Sequence, residues 1–224
     1  MALSFKPFSF ISVHLASFAA ILCYGITLWD EYEDSVRTHC HTWNLLPSFS
    51  SSIGDYTPQR YIWRLCVGVS CTMRLFSVLL FSENLRRYNR SGPIVQILTS
   101  MRVAEILGLF LLTMFASTEI FPVHAFGFCV YFLFSTLNIA IVSRLMSSGV
   151  TGSGKLNSDT DRYPAVYVLT FVGCFISYMV HNNYCLPGVY TIFGGLELVM
   201  IFSNIMFWYH CDCLEWTSYT ISIE

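Results

Sequence analysis

An all-α bundle of six membrane-spanning helices, a polytopic membrane protein with both termini in the cytosol, is the fold class this sequence predicts. Three observations predict it. Hydrophobic residues make up 54% of the 224 and charged residues 12%, against roughly 45–50% and about 25% in a soluble domain. The apolar residues gather into runs near the roughly 20 residues that cross a bilayer core. The lysines and arginines between the runs fall unevenly on the two sides. With 19 Phe and aromatics at 17%, the chain could not clothe a water-facing surface in polar groups. In lipid that composition is what the solvent demands. A net charge of −2 gives no basis for a nucleic-acid partner.

The runs follow one another along the chain. The first is Pro7–Trp29, the second Tyr61–Phe81, and the third Pro93–Phe115. The remaining three are Ala125–Met146, Pro164–Val180 and Val189–Tyr209. Together they predict a six-span membrane domain over residues 1–210 with a short cytosolic tail over 211–224. The first run follows Lys6 and passes the Ala19-Ala20 pair to reach Trp29. It is too long for a signal-peptide core and reads as an uncleaved anchor.

Orientation comes from the basic residues in short loops. Arg86, Arg87 and Arg90 follow the second run; Arg144, Lys155 and Arg162 lie around the fourth connection; Lys6 is at the amino terminus. The opposite side has Arg37 in the long Asp30–Gln59 loop and Arg60 directly after it, and its Ala116–His124 and His181–Gly188 loops have none. Both termini therefore read as cytosolic and the three sparsely basic loops as lumenal or extracellular. The Asn89-Arg90-Ser91 glycosylation sequon then lies in the cytosol and is expected to be unused.

Cys23, Cys66, Cys71, Cys129 and Cys174 fall inside spans and read as small apolar packing residues. Cys40 and Cys185 are the cysteines of the lumenal loops, and an oxidising compartment allows them to pair. Cys211 and Cys213 follow the last span, a position where palmitoylation is possible and unmodified thiols are the simpler reading. His39-Cys40-His41 and His210-Cys211-Asp212-Cys213 hint at metal ligands, but neither has a second half-site at zinc spacing. No metal and no cofactor are expected. Gly149–Leu156 follows the P-loop pattern until Leu156 stands where Ser or Thr must hold magnesium. It reads as a flexible Gly/Ser linker.

Ionisable residues at membrane depth carry the most information. Arg64, Arg74, Arg102, Glu105 and Glu197 would each cost at least about 2.5 kcal/mol facing lipid at the bilayer centre, so they should face inward and pair. Arg102 and Glu105 are three apart and share a helix face; they form the expected intramembrane pair, structural or functional. Arg64 lies about one turn, and Glu197 roughly two turns, inside the lumenal surface at 1.5 Å per residue. Depth alone makes Arg64 the best partner for Glu197. Arg74 has no evident partner. A second polar set, Arg60, Glu119, His124, His181, Asn182 and Asn183, lies at the lumenal rim. These are either ordinary interfacial residues or the mouth of a cavity floored by Arg64 and Glu197, a shape suited to an amphiphilic lipid.

Two runs on the lumenal side are more specific than the spans. One is Cys40-His-Thr-Trp-Asn-Leu-Leu-Pro-Ser-Phe-Ser-Ser-Ser-Ile-Gly54, followed by Pro58-Gln-Arg-Tyr-Ile-Trp-Arg64. The other is His181-Asn-Asn-Tyr-Cys185, followed by Gly188-Val-Tyr-Thr-Ile-Phe193 and Glu197. With Glu105, Glu119-x-x-x-x-His124 and Arg144 between them, they resemble the post-GPI-attachment-to-proteins factor 2 family. That family sits within the FGF-receptor-activating and DRAM-like six-span proteins, and the resemblance runs from Cys40 to Asn204. It implies remodelling of glycosylphosphatidylinositol (GPI) anchors, in which a lyso-GPI regains a saturated acyl chain. The implied partners are GPI-anchored proteins or GPI lipid, and membrane lipids. The implied location is the Golgi membrane, with the endoplasmic reticulum as the other candidate. The chain departs from the family pattern at Ser70, Ala125, Val180 and Leu186. A shared function would therefore not require the family's usual side chains there.

Three readings of activity remain open from sequence. In the first the chain is a lyso-GPI acyltransferase, with an acyl-donor lipid as co-substrate. His124 or His181 would be the base, oriented by Glu119, and Arg64 or Asn182 would stabilise developing charge. In the second it binds or presents lipid for another enzyme, with Arg60, Arg64, Asn182 and Glu197 on the head group. The third is a DRAM-like regulator of membrane traffic.

Overall fold

A computed structural model describes residues 2–4, 6–87, 92–147, 162–211 and 220–222. Helix α1 spans Lys6–Asp30; two short helices follow, α2 over Tyr32–Val36 and α3 over Phe49–Gly54. Then come α4 (Gln59–Arg87), α5 (Gly92–Met114), α6 (Phe121–Ser147), α7 (Arg162–Tyr184) and α8 (Val189–Tyr209). Two three-residue strands, β1 (Ala2–Ser4) and β2 (Thr220–Ser222), pair antiparallel and bring the two ends of the chain together. Six helices are long and apolar enough to cross a membrane, over Phe10–Asp30, Gln59–Leu79, Gly92–Met114, Phe121–Leu145, Arg162–Tyr184 and Val189–Tyr209. The expected six-span, all-α class is the observed one. The Asn89 sequon, the Gly149–Leu156 run and Cys213 lie outside the described residues.

The helix starts are written in proline. Pro7, Pro93, Pro122 and Pro164 each fall in the first turn of α1, α5, α6 and α7, where the missing N–H costs nothing and the fixed φ suits a helix. Pro58 directly precedes α4, and Pro187-Gly188 precedes α8, with Gly188 at φ 78°. That left-handed turn is cheap for glycine.

The bundle is apolar outside, and its interior mixes apolar with polar side chains. Leu65, Leu169 and Ile21 are among the most exposed large side chains, whereas Arg102, Glu105, Asn138, Ser135 and Asn204 are buried. Lipid supplies no hydrophobic force between helices, so close backbone packing and interhelical hydrogen bonds must do it. Both occur. A Cβ on Gly108 would lie 2.5 Å from the Tyr131 amide nitrogen, and one on Gly127 would lie 2.7 Å from that of Leu112. Only glycine lets α5 and α6 approach this far. Between α1 and α4, the Ser70 hydroxyl donates to the Ser12 carbonyl at 2.7 Å.

Helices α1, α4, α5 and α6 pack in sequence as neighbours, and α7 packs chiefly on α8. The α7–α8 hairpin joins the rest through the Asp30–Gln59 loop on one face of the bundle, and deeper down through an apolar core shared with α5 and α6 and through polar side chains. The face carrying α2 and α3 is called the loop face below.

Candidate functional site

The loop between α1 and α4 turns into the bundle. Pro47 ends an extended approach, Ser48 caps α3, and Phe49 is buried against Trp63 and Tyr24. Gly194 of α8 makes room: a Cβ there would sit 2.4 Å from the Pro47 carbonyl oxygen. The Tyr24 hydroxyl donates to that carbonyl at 3.3 Å. Thr27 donates to the Ser52 carbonyl at 2.8 Å, and Gln59 donates to the Thr27 hydroxyl at 3.2 Å. Non-helical backbone at this depth is tolerable because protein, not lipid, surrounds it.

Glu197 is the anchor of this segment. Its carboxylate accepts from the Ser48 hydroxyl at 2.9 Å and from the backbone amides of Phe49 at 2.7 Å and Ser50 at 3.3 Å. The Ser50 hydroxyl also donates to it. An anion here meets the unsatisfied N–H groups at the start of α3. The pairing of Glu197 with Arg64 expected from depth does not occur. A carboxylate can be satisfied by backbone donors, and an argument that seeks only an opposite charge overlooks them.

Arg64 is elsewhere. Arg60 and Arg64, one turn apart on α4, both bond Glu119: Arg60 Nη1 reaches Oε1 at 3.1 Å, and Arg64 Nη2 donates to Oε2. Two cations share one carboxylate, with the carboxyl of Asp55 beside Arg60 as a second acidic group. The arginine side chains are 21% exposed and Glu119 34%, enough for a ligand to reach them. Arg60 Nε and Arg64 Nε are buried without hydrogen-bond partners. The hydrogen bond from Arg64 holds the Glu119 carboxyl below its usual range, helped by the Ala116 amide. Asp55, bridged to Thr118 at 3.2 Å and to Arg60 through its carbonyl at 2.9 Å, is raised instead, because burial outweighs those contacts.

His124, on the first turn of α6, stands on the Asp55 side of this cluster. Its Nδ1 lies 2.7 Å from the Phe115 carbonyl oxygen. A carbonyl only accepts, so Nδ1 carries the proton and the lone pair of the neutral ring sits on Nε2. Glu119 was expected to orient the histidine. It is held by the two arginines, and the Phe115 backbone orients His124 instead.

His181 belongs to a different group. It is 2% exposed at the end of α7, with its ring 5.5 Å from His39 and 5.2 Å from Tyr190. Cys40 and Cys185 are joined by a disulfide with Cα atoms 5.2 Å apart. Asn182 is exposed. The rim residues, read from sequence as ordinary interfacial groups or as the mouth of one cavity, divide by their contacts into Arg60 and Arg64 with Glu119 and His181 with His39 and Tyr190.

Deeper in the bundle, Glu105 accepts from Arg102 at 3.1 Å, from Asn138 at 2.7 Å and from Trp208 Nε1 at 3.0 Å. The Arg102 guanidinium lies 3.0 Å from the centre of the Trp208 ring. Asn204 donates to Ser135 at 2.6 Å. Sequence reasoning found the Arg102–Glu105 pair and missed Asn138, Asn204 and Trp208. Arg74 is buried at 3% exposure, and its Nε has no partner.

Residues 4–211 match the family described as the Frag1/DRAM/Sfk1/Cwh43P N-terminal domain. The chain belongs to that family. Acyltransferase PGAP2 of Xenopus tropicalis is 35% identical over 215 residues, covering 92% of this chain and 85% of that protein. Post-GPI attachment to proteins factor 2 of Caenorhabditis briggsae is 32% identical over 224 residues, covering 94% and 84%. Protein cwh43 of Schizosaccharomyces pombe is 25% identical over 196 residues, which cover 86% of this chain but 20% of that much longer protein. No solved structure matches. The family implied by the Cys40–Arg64 and His181–Glu197 runs is thus the family found.

Proposed function

We propose that this chain remodels the lipid of GPI anchors by reacylating a lyso-GPI, with the loop face turned to the lumen of the Golgi or the endoplasmic reticulum. The observation that carries the reading is the Arg60–Arg64–Glu119 cluster beside His124, at the membrane rim of a chain whose relative is named an acyltransferase. Two guanidiniums side by side offer forked donors for a phosphate, the group that arginines recognise best. A phosphoinositol head placed there leaves the glycerol at the level of the first turn of α6.

The chemistry is transesterification. His124 Nε2 takes the proton from the free glycerol hydroxyl, and that oxygen attacks the acyl carbonyl of a donor membrane lipid. The new ester forms as the donor's ester bond breaks. The imidazolium returns its proton to the departing alkoxide. Arg64, through its guanidinium Nη groups, stabilises the oxyanion. His181 is the other candidate base, but it sits with the disulfide, away from the arginines.

The test is purified protein in liposomes containing lyso-GPI and a donor phospholipid with a labelled acyl chain. Transfer that disappears in His124→Ala and persists in His181→Gln supports the reading. Transfer lost only in His181→Gln moves the base to the other cluster. Saturable lyso-lipid binding without transfer by the wild type makes the chain a lipid-presenting protein and rejects catalysis.

A further inference from the structure

His39, Cys40 and His181 place their ligand atoms within 4.8 Å of one another. Cys40 Sγ lies 3.3 Å from His39 Nε2 and 3.3 Å from the His181 carbonyl oxygen. His181 is 2% exposed, yet neither ring nitrogen has a hydrogen-bond partner. A neutral imidazole carries one donor and one acceptor, and buried polar groups in native proteins are nearly always matched. This ring is packed as though something else belongs on it. Cys185 follows His181 by four residues, one turn on, at the end of α7. Cys185 also takes a left-handed φ of 50°, where glycine normally ends a helix.

We propose that His39, Cys40, His181 and Cys185 form a zinc site that replaces the disulfide when the cysteines are reduced. The fold would then close the same junction, between the α1–α4 loop and the end of α7, with either an S–S bond or a metal ion. Sequence shows His39-Cys40 as a half-site lacking its mate. The fold supplies the mate, His181-x-x-x-Cys185, from 141 residues away. Two thiolates and two imidazoles are a common structural zinc set. At bond lengths of about 2.3 Å to sulfur and about 2.0 Å to nitrogen, tetrahedral donors stand roughly 3.3–3.8 Å apart. The three grouped donors need to close by only about 1–1.5 Å from their outer limit. His39 is exposed on a loop and can make that movement.

The exchange balances simply. A dithiol gives two electrons and two protons, the Cys40–Cys185 bond breaks, and the dithiol closes to its own disulfide. Zinc then displaces both thiol protons to solvent and takes two thiolates, which match its charge.

The experiment uses the full chain in detergent micelles, once as isolated and once reduced with dithiothreitol and desalted without air. Cobalt(II) is the probe, with zinc(II) as competitor. The reduced protein should bind one cobalt per chain with thiolate charge-transfer absorption, bleached by zinc. The oxidised protein should show no such band. Replacing His39 with Asn should weaken binding at least about tenfold through loss of one of four ligands. In the reduced wild type, zinc should protect Cys40 and Cys185 from iodoacetamide, read peptide by peptide, and His181→Gln should abolish that protection. Any one of three results overturns the proposal. These are no cobalt on the reduced wild type, a charge-transfer band that survives Cys40→Ser, and His39→Asn binding as tightly as wild type. The iodoacetamide readout on wild type stands even where a variant fails to fold.

Discussion

Replacing Glu197 with Gln should loosen α3 without unfolding the bundle. The carboxylate accepts from two backbone amides and two serine hydroxyls. Glutamine keeps the volume and one oxygen but turns the other acceptor into a donor. Serine hydroxyls can rotate to new acceptors, whereas the Phe49 and Ser50 amides are fixed by the helix. At least one backbone N–H is therefore left facing a donor. A buried group in that state costs about 1–3 kcal/mol, which is about a 5- to 150-fold rise in the local opening constant. Hydrogen–deuterium exchange of the peptide over residues 47–54 in micelles reads this directly, with the peptide over α2 as internal control. Exchange in 47–54 should accelerate by that factor while the control is unchanged. Arg64→Gln should leave 47–54 untouched, and the double variant should match Glu197→Gln to within about 0.5 kcal/mol, since the two side chains share no partner. Unaltered exchange in folded Glu197→Gln, or an equal effect from Arg64→Gln, would show that the carboxylate does not hold α3.

Three further outcomes follow from the same contacts. Gly194→Ala forces a Cβ against the Pro47 carbonyl and should cost about 1–3 kcal/mol as overpacking, seen as a lower thermal midpoint and faster proteolysis at residues 45–50. Glu105→Leu takes the carboxylate away from the Arg102 guanidinium and from the donors of Asn138 and Trp208 and should cost about 3–5 kcal/mol; adding Arg102→Leu should restore part of the monodisperse yield, and no recovery would refute the pairing. Glu119 has a carboxyl held below its usual range by Arg64. Its stabilising contribution should therefore be complete above the ordinary carboxylate pKa and vanish as pH falls through the lowered value. Thermal midpoints of wild type and Glu119→Gln, followed from neutral to acid pH, should converge at the acid end, and a constant gap would contradict the assignment.

Much of this molecule is legible in the sequence because lipid imposes simple rules. The six spans show as runs of apolar residues, with proline marking the helix starts, and Arg102–Glu105 shows through its three-residue spacing. The failures share one cause. Reasoning from charge and depth joined Glu197 to Arg64, whereas the carboxylate is satisfied by backbone N–H groups of a helix that the sequence marks only as Ser48-Phe-Ser-Ser-Ser-Ile-Gly54 after Pro47. The same habit gave Glu119 to His124, although the Phe115 carbonyl does that work. Backbone donors and acceptors carry no letter in the sequence, so a loop that folds into the bundle hides them. The rim residues could also be read as one mouth because sequence gives depth along each span but not angle around the bundle.

Angle is recoverable on α8, and it explains how the last hairpin is held. Gly194, Glu197, Asn204 and Trp208 are spaced by three, seven and four, so they lie on one stripe of the helix. Met200, Phe207 and Cys211 are buried along the same side. Each polar member of the stripe meets a different partner: Glu197 meets α3, Asn204 meets Ser135 of α6, and Trp208 meets Glu105 of α5. In water such a helix would be fastened by burying leucines. In lipid, leucine gains little by leaving its solvent, so three hydrogen-bonded contacts at three depths add to the apolar packing that orients α8. The topmost contact differs in kind. Glu197 grips a loop segment rather than a spanning helix, and the disulfide ties the same loop to the end of α7. The α7–α8 hairpin is thus bolted to α5 and α6 deep in the bundle and latched to a loop at the rim.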